Sequence, residues 1–85
     1  MIYNLQTANF ASMEIKEKIG KRIKVIRELK SMSQKDLAYS ADLDRSYIAS
    51  VENGARNISI VNIEKITQAL CVTLAEFFNS DEFYQ

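Results

Sequence analysis

Apolar residues recur along this chain at intervals of three and four, and polar residues fill the positions between them. Ile15, Ile19, Ile23, Ile26 and Leu29 make one stripe, with Lys16, Lys18, Lys21 and Lys24 off it. That period predicts an amphipathic helix over about residues 13–31. Ser33 with Asp36 three residues on reads as a capping box. It opens a short helix over 34–41 that buries Leu37, Ala38 and Ala41. Asp44 is placed to cap a third helix, 45–53, which Gly54 stops. Ser59 caps a fourth, 60–70, with Ile60, Ile63, Ile66 and Leu70 inward, and Thr73 with Glu76 opens a fifth that runs through Phe78.

The pattern predicts an all-α, compact five-helix domain. Only about three residues separate helices 2 and 3, which is helix-turn-helix spacing and makes the third helix project outward. Residues 1–12 (MIYNLQTANFAS) are uncharged and weakly periodic, so they are set apart as an N-terminal extension; the domain is placed at 13–80 and a short tail at 81–85. Met13, directly before the periodic region, is a second candidate start.

Composition narrows the chemistry. One cysteine, Cys71, and no histidine remove multi-cysteine and histidine metal sites together with the commonest general base. No activated nucleophile or acid–base constellation can be assembled, so no enzyme, metal or cofactor is expected. No apolar run reaches the ~18–20 residues of a membrane span, and the N-terminus lacks a signal-peptide pattern; the expectation is a cytoplasmic protein with no membrane partner. Formal net charge is zero, but the charge is graded along the chain. Residues 13–30 hold seven Lys/Arg against three Asp/Glu, 31–58 hold three against four, and 59–85 hold one against four. One end can face a polyanion while the other is acidic.

On a helical wheel, Arg45, Ser46, Ala49, Ser50 and Asn53 of helix 3 share an outer arc of roughly 140°. Ile48, Val51 and Glu52 fall inside, with Tyr47 at the boundary. A small, polar face that is cationic at its N-terminal end suits a DNA major groove, where arginine reads guanine and short hydroxyls approach base edges. Glu52 on the inner side needs a cation, and Arg27 at the edge of the helix 1 stripe is the best partner; a solvated Glu52 is the alternative.

From about Ile19 to Phe78 the chain resembles the phage-repressor type of helix-turn-helix, the Cro/Xre class with the lambda-repressor-like fold. The resemblance rests on IGKRIKVIRELKSMSQKDLAYSADLDRSYIASVENG followed by NIEKITQALCVTLAEFF. It implies a phosphate contact by Gln34, a buried Arg27–Glu52 ion pair, and base reading by Arg45, Ser46 and Ser50. A narrower resemblance is to controller proteins of restriction–modification systems, carried by Asp44, Arg45, Ser46, Tyr47 and Ile48 and by Arg56 and Asn57 after the turn. That resemblance implies a small homodimer on the pseudo-palindromic half-sites of operator DNA, regulating its own gene and the endonuclease gene, with RNA polymerase a further candidate partner. Cys71 departs from the glycine usual there; a left-handed backbone at that point would cost a non-glycine residue roughly 1 kcal/mol.

The remaining residues carry paired readings. Arg56 and Asn57 lie beside the expected groove edge, with solvent exposure the alternative for Arg56. Tyr47 either offers its hydroxyl to a phosphate or is core, Asn53 completes the outer arc, and Cys71 reads as a small buried residue rather than a redox sensor. Leu74, Phe77 and Phe78 exceed what one short helix needs, and Phe83 and Tyr84 add to them, which suggests a dimer surface; ordinary packing of helix 5 is the alternative. An antitoxin-type protein-binding regulator with the same fold is the competing function.

Overall fold

The computed structural model describes residues 13–84; the expected extension at 1–12 and residue 85 of the tail lie outside the described residues. Among these residues are five α-helices and no strand: α1 Ile15–Leu29, α2 Gln34–Ala41, α3 Arg45–Glu52, α4 Ile60–Ala69 and α5 Leu74–Phe78, then a 3-10 turn at Asp81–Tyr84.

Local hydrogen bonds decide where the helices start. Ser33 Oγ accepts the Asp36 N–H and Asp36 Oδ2 accepts the Ser33 N–H, both at 2.9 Å. The Ser33 backbone N–H, with its hydroxyl second, holds the Asp36 carboxyl below the usual carboxylate range. Thr73 and Glu76 repeat the box on α5 at 2.8 and 3.0 Å, and Ser59 Oγ accepts the Asn62 N–H on α4 at 3.1 Å. Two starts differ from expectation. Asp44 holds the N-cap position of α3, but its side chain makes no capping bond. α1 begins at Ile15 rather than Met13, with Glu17 Oε1 accepting the Glu14 N–H at 3.0 Å.

Four helices end the same way, through a residue in the left-handed region: Ser31, Asp42, Gly54 and Cys71 at φ 57°, 57°, 74° and 60°. In each case the next N–H reaches back five residues, Met32 to Arg27, Leu43 to Ala38, Ala55 to Ser50 and Val72 to Thr67, at 2.9–3.0 Å. This is the Schellman closure, and three of the residues making that bond (Met32, Leu43 and Val72) pack on the core. Cys71 is therefore left-handed and exposed, not the small buried residue expected.

The core joins Ile19, Ile23 and Ile26 of α1 to Leu37, Ala38 and Ala41 of α2, Ile48 and Val51 of α3, Ile63, Ile66 and Leu70 at α4, and Phe77 of α5. Three residues of the expected stripes lie outside it: Ile15, Leu29 and Ile60 are 58%, 78% and 76% exposed. Each occupies the first or last turn of its helix, so the helix overhangs its partners where the period still points inward. Gly20 is needed for close approach. A Cβ there would sit 2.2 Å from the Val51 carbonyl oxygen, so α1 crosses α3 backbone against backbone. Gly54 meets α1 as well: beyond its positive φ, a Cβ would lie 2.9 Å from Glu17 Cγ.

Candidate nucleic-acid interface

The turn from α2 to α3 is three residues long, Asp42 to Asp44, and α3 leaves it with one side bound to the core and the other in solvent. Ile48 and Val51 are fully buried, and Arg45, Ser46 and Asn53 are exposed, with Ala49 and Ser50 half-buried between them. No bulky apolar side chain lies on that outer arc. An α-helix with its side chains is about 10–12 Å across, which matches the width of a B-DNA major groove.

A buried ionic cluster fixes α3. Arg27 Nε and Nη2 donate to Glu52 Oε2 and Oε1 at 2.6 and 3.0 Å, with the two side chains 9% and 2% exposed. Arg27 Nη1 donates to the Met32 carbonyl at 2.8 Å, which closes the end of α1. The bonds to Glu52 raise the Arg27 pKa above its ordinary value, against the effect of burial. Gln34, first residue of α2, donates from Nε2 to Glu52 Oε1 at 3.0 Å. Its side chain is half-buried, and the α1–α3 ion pair therefore also fixes the start of α2.

Past α3, Arg56 and Asn57 are exposed in the loop to α4. The Arg56 guanidinium lies over the Tyr47 ring, 4.9 Å from its centroid. Tyr47 is half-buried against the core, and its hydroxyl oxygen accepts Asn62 Nδ2 at 3.0 Å. The core reading of Tyr47 thus holds for its ring, which packs on the core while the hydroxyl oxygen takes an internal partner. Arg45, Ser46, Ser50, Asn53, Arg56 and Asn57 lie on α3 or the loop that follows it, with Gln34 at the α2 start beside the ion pair.

The expected dimer residues separate. Phe77 is fully buried in the core, where it stacks edge-on with Phe78 at 4.9 Å and lies 6.2 Å from Phe83. Leu74 and Phe78 remain 40% and 36% exposed, and Ile60 and Val61 of α4 extend that surface. Ile60, Val61, Glu64 and Leu74 line a shallow groove. Residues 81–84, set apart as part of a tail, are folded down: Phe83 packs on Phe78 at 5.0 Å, Glu82 is buried and accepts the Ser80 hydroxyl, and Tyr84 donates to Asn79 Oδ1 at 2.8 Å.

Two contributors escaped the sequence pattern. Arg22 Nε and Nη2 donate to the Phe77 and Glu76 carbonyls at 2.7 and 2.8 Å, so a residue of the basic helix caps the C-terminus of α5. Of the seven cations in 13–30, Arg22 and Arg27 are thus committed to internal bonds. Asn62 is the other; its side chain ties α4 to Tyr47, and nothing in its spacing announces that bond.

A helix-turn-helix family model matches residues 23–77. The chain is similar to the control protein C.MunI of Mycoplasma sp, 46% identical over 70 residues that make up 81% of this chain and 95% of that protein. It is also similar to the control protein C.BamHI of Bacillus amyloliquefaciens, 52% identical over 54 residues, 62% of this chain and 67% of that one. Among solved structures it resembles the restriction–modification controller protein C.AhdI from Aeromonas hydrophila, with a TM-score of 0.72, 44% identity, and 74% and 96% of the two chains covered. It also resembles the controller protein C.Esp1396I, solved as a tetramer in complex with its natural 35 base-pair operator, with a TM-score of 0.80, 37% identity, and 87% and 100% covered.

Proposed function

The chain belongs to the helix-turn-helix family and, within it, to the control proteins of restriction–modification systems; from that premise we infer that it binds operator DNA as a homodimer and regulates transcription from its own promoter. The observation that carries this reading is the outer face of α3, small and polar along its length, with Arg45 exposed at its N-terminal end. Placed in a major groove, Arg45 reaches guanine O6 and N7, and Ser46 and Ser50 approach neighbouring base edges. Gln34 and the positive N-terminus of α2 meet a phosphate, and Arg56 and Asn57 meet the backbone flanking the groove.

One α3 reads too few base pairs for a unique site, and two must stand about 34 Å apart to enter successive grooves. The apolar surface of Ile60, Val61, Leu74 and Phe78 supports pairing of two copies through α4 and α5. RNA polymerase is a further partner in this reading, since a regulator seated at a promoter lies beside it, and the site of action is the cytoplasm. Among the described residues no helix is long and apolar enough to cross a membrane.

Fluorescence anisotropy with a labelled duplex from upstream of the protein's own gene tests the reading. Saturable binding that survives excess unrelated DNA is expected. Binding that unrelated DNA competes away on equal terms would contradict it.

A further inference from the structure

A phenol oxygen can accept a hydrogen bond and donate its own proton at the same time, in different directions. At Tyr47 the accepting side is occupied by Asn62 Nδ2, 3.0 Å away on the first turn of α4. An amide nitrogen cannot accept in return, so the Tyr47 proton points away from Asn62. Across the face of the ring lies Arg56, a cation that pairs with no carboxylate among the described residues. A donor and a cation on one ring beside α3 make a place for an anion.

We propose that Asn62 is a positioning residue for DNA binding: it holds the Tyr47 hydroxyl as an outward donor to a DNA phosphate, beside the ring-stacked Arg56. This rests on the DNA-binding reading above. Asn62 itself touches no DNA. Its amide works in one orientation only, because turned over, its oxygen would accept the Tyr47 proton and leave the phosphate without that donor.

Asn62→Asp imposes the wrong polarity, since a carboxylate only accepts. The same substitution favours folding, because an acidic residue in the first turn of a helix is stabilising. Stability and DNA binding should therefore move in opposite directions. Asn62→Leu removes the bond with no new charge and keeps the test valid if the aspartate disturbs folding.

The experiment measures affinity for the upstream duplex in wild type, N62D, N62L, Y47F and the two double mutants, with melting temperatures alongside. N62D and Y47F should each weaken binding about tenfold, the size of one lost bond to a charged group. In the Y47F background the penalties of N62D and N62L should shrink at least about threefold, because no hydroxyl remains to misdirect. Penalties that stay the same with and without the hydroxyl, or an N62D protein that binds like wild type, overturn the proposal. A wild type that does not bind the duplex overturns the DNA-binding reading itself, and this proposal with it.

Discussion

Gln34 Nε2 donates to Glu52 Oε1, the same oxygen that receives Arg27 Nη2. One carboxylate oxygen therefore couples the ion pair that holds α1 to α3 with Gln34 at the start of α2, the side chain proposed above to meet a phosphate. Glu52 is almost fully enclosed, and three donors satisfy its charge. The desolvation cost of the pair is offset only while all of them stay in place.

Removing one member should strand the other. Glu52→Gln and Arg27→Met are each expected to cost about 3–5 kcal/mol of stability, and the double mutant should recover part of that loss. Thermal or urea unfolding of the four proteins measures the cycle. Simple additivity would show that the two groups do not depend on each other. Measured well below its melting temperature, E52Q should still bind DNA more weakly than its folded fraction explains, because an amide oxygen holds Gln34 less firmly than a carboxylate.

Arg45 and Gln34 are expected to fail differently. Arg45→Ala should cost about 1–3 kcal/mol of operator affinity and relax the base preference at one position in each half-site. Gln34→Ala should weaken every sequence alike. Binding to a set of single-base operator variants separates the two. Unchanged preference in R45A would contradict the docking.

Charge inserted on α5 should act according to burial. Leu74→Glu, on the exposed surface, is expected to leave a folded monomer with weakened operator binding. Phe77→Glu places a carboxylate in the core and should unfold the subunit outright. Sedimentation equilibrium and circular dichroism on both proteins distinguish loss of pairing from loss of folding. A dimeric L74E would move the interface elsewhere.

Arg22 links the basic helix to this surface. Arg22→Met keeps the length of the side chain but leaves the Glu76 and Phe77 carbonyls without their donors. A loss of about 1–3 kcal/mol is expected, with amide exchange in α5 accelerating more than in α1. Uniform exchange would mean that α5 is held by its aromatic packing alone.

Much of this was legible in the chain, for reasons that differ by element. Ser33, Ser59 and Thr73 announced the starts of α2, α4 and α5, because a cap is a local event that sequence spacing records. The left-handed ends at Ser31 and Asp42 were not announced, since neither is a glycine, and Cys71 was flagged only through the glycine usual there in the family it resembles; the apolar Met32, Leu43 and Val72 that follow them were the available signal in the chain itself. Gly20 was legible in principle, as a glycine inside a helix costs about 1 kcal/mol unless a close approach requires it. Arg22 was not. Its partners are 54 and 55 residues away, and on α1 alone it reads as one more cation. Phe77 and Leu74 share a helix of five residues, too short for periodicity to separate a core position from an exposed one.

In the proposed complex two copies of α3 read one operator in successive major grooves. Hydroxyl-radical footprinting of the wild-type protein on the DNA upstream of its own gene tests it most directly. A two-fold symmetric pattern is expected, with protection centred on two half-sites about 34 Å apart, both lost together in L74E. Protection of one isolated half-site by wild type, or a pattern that L74E leaves intact, would contradict it.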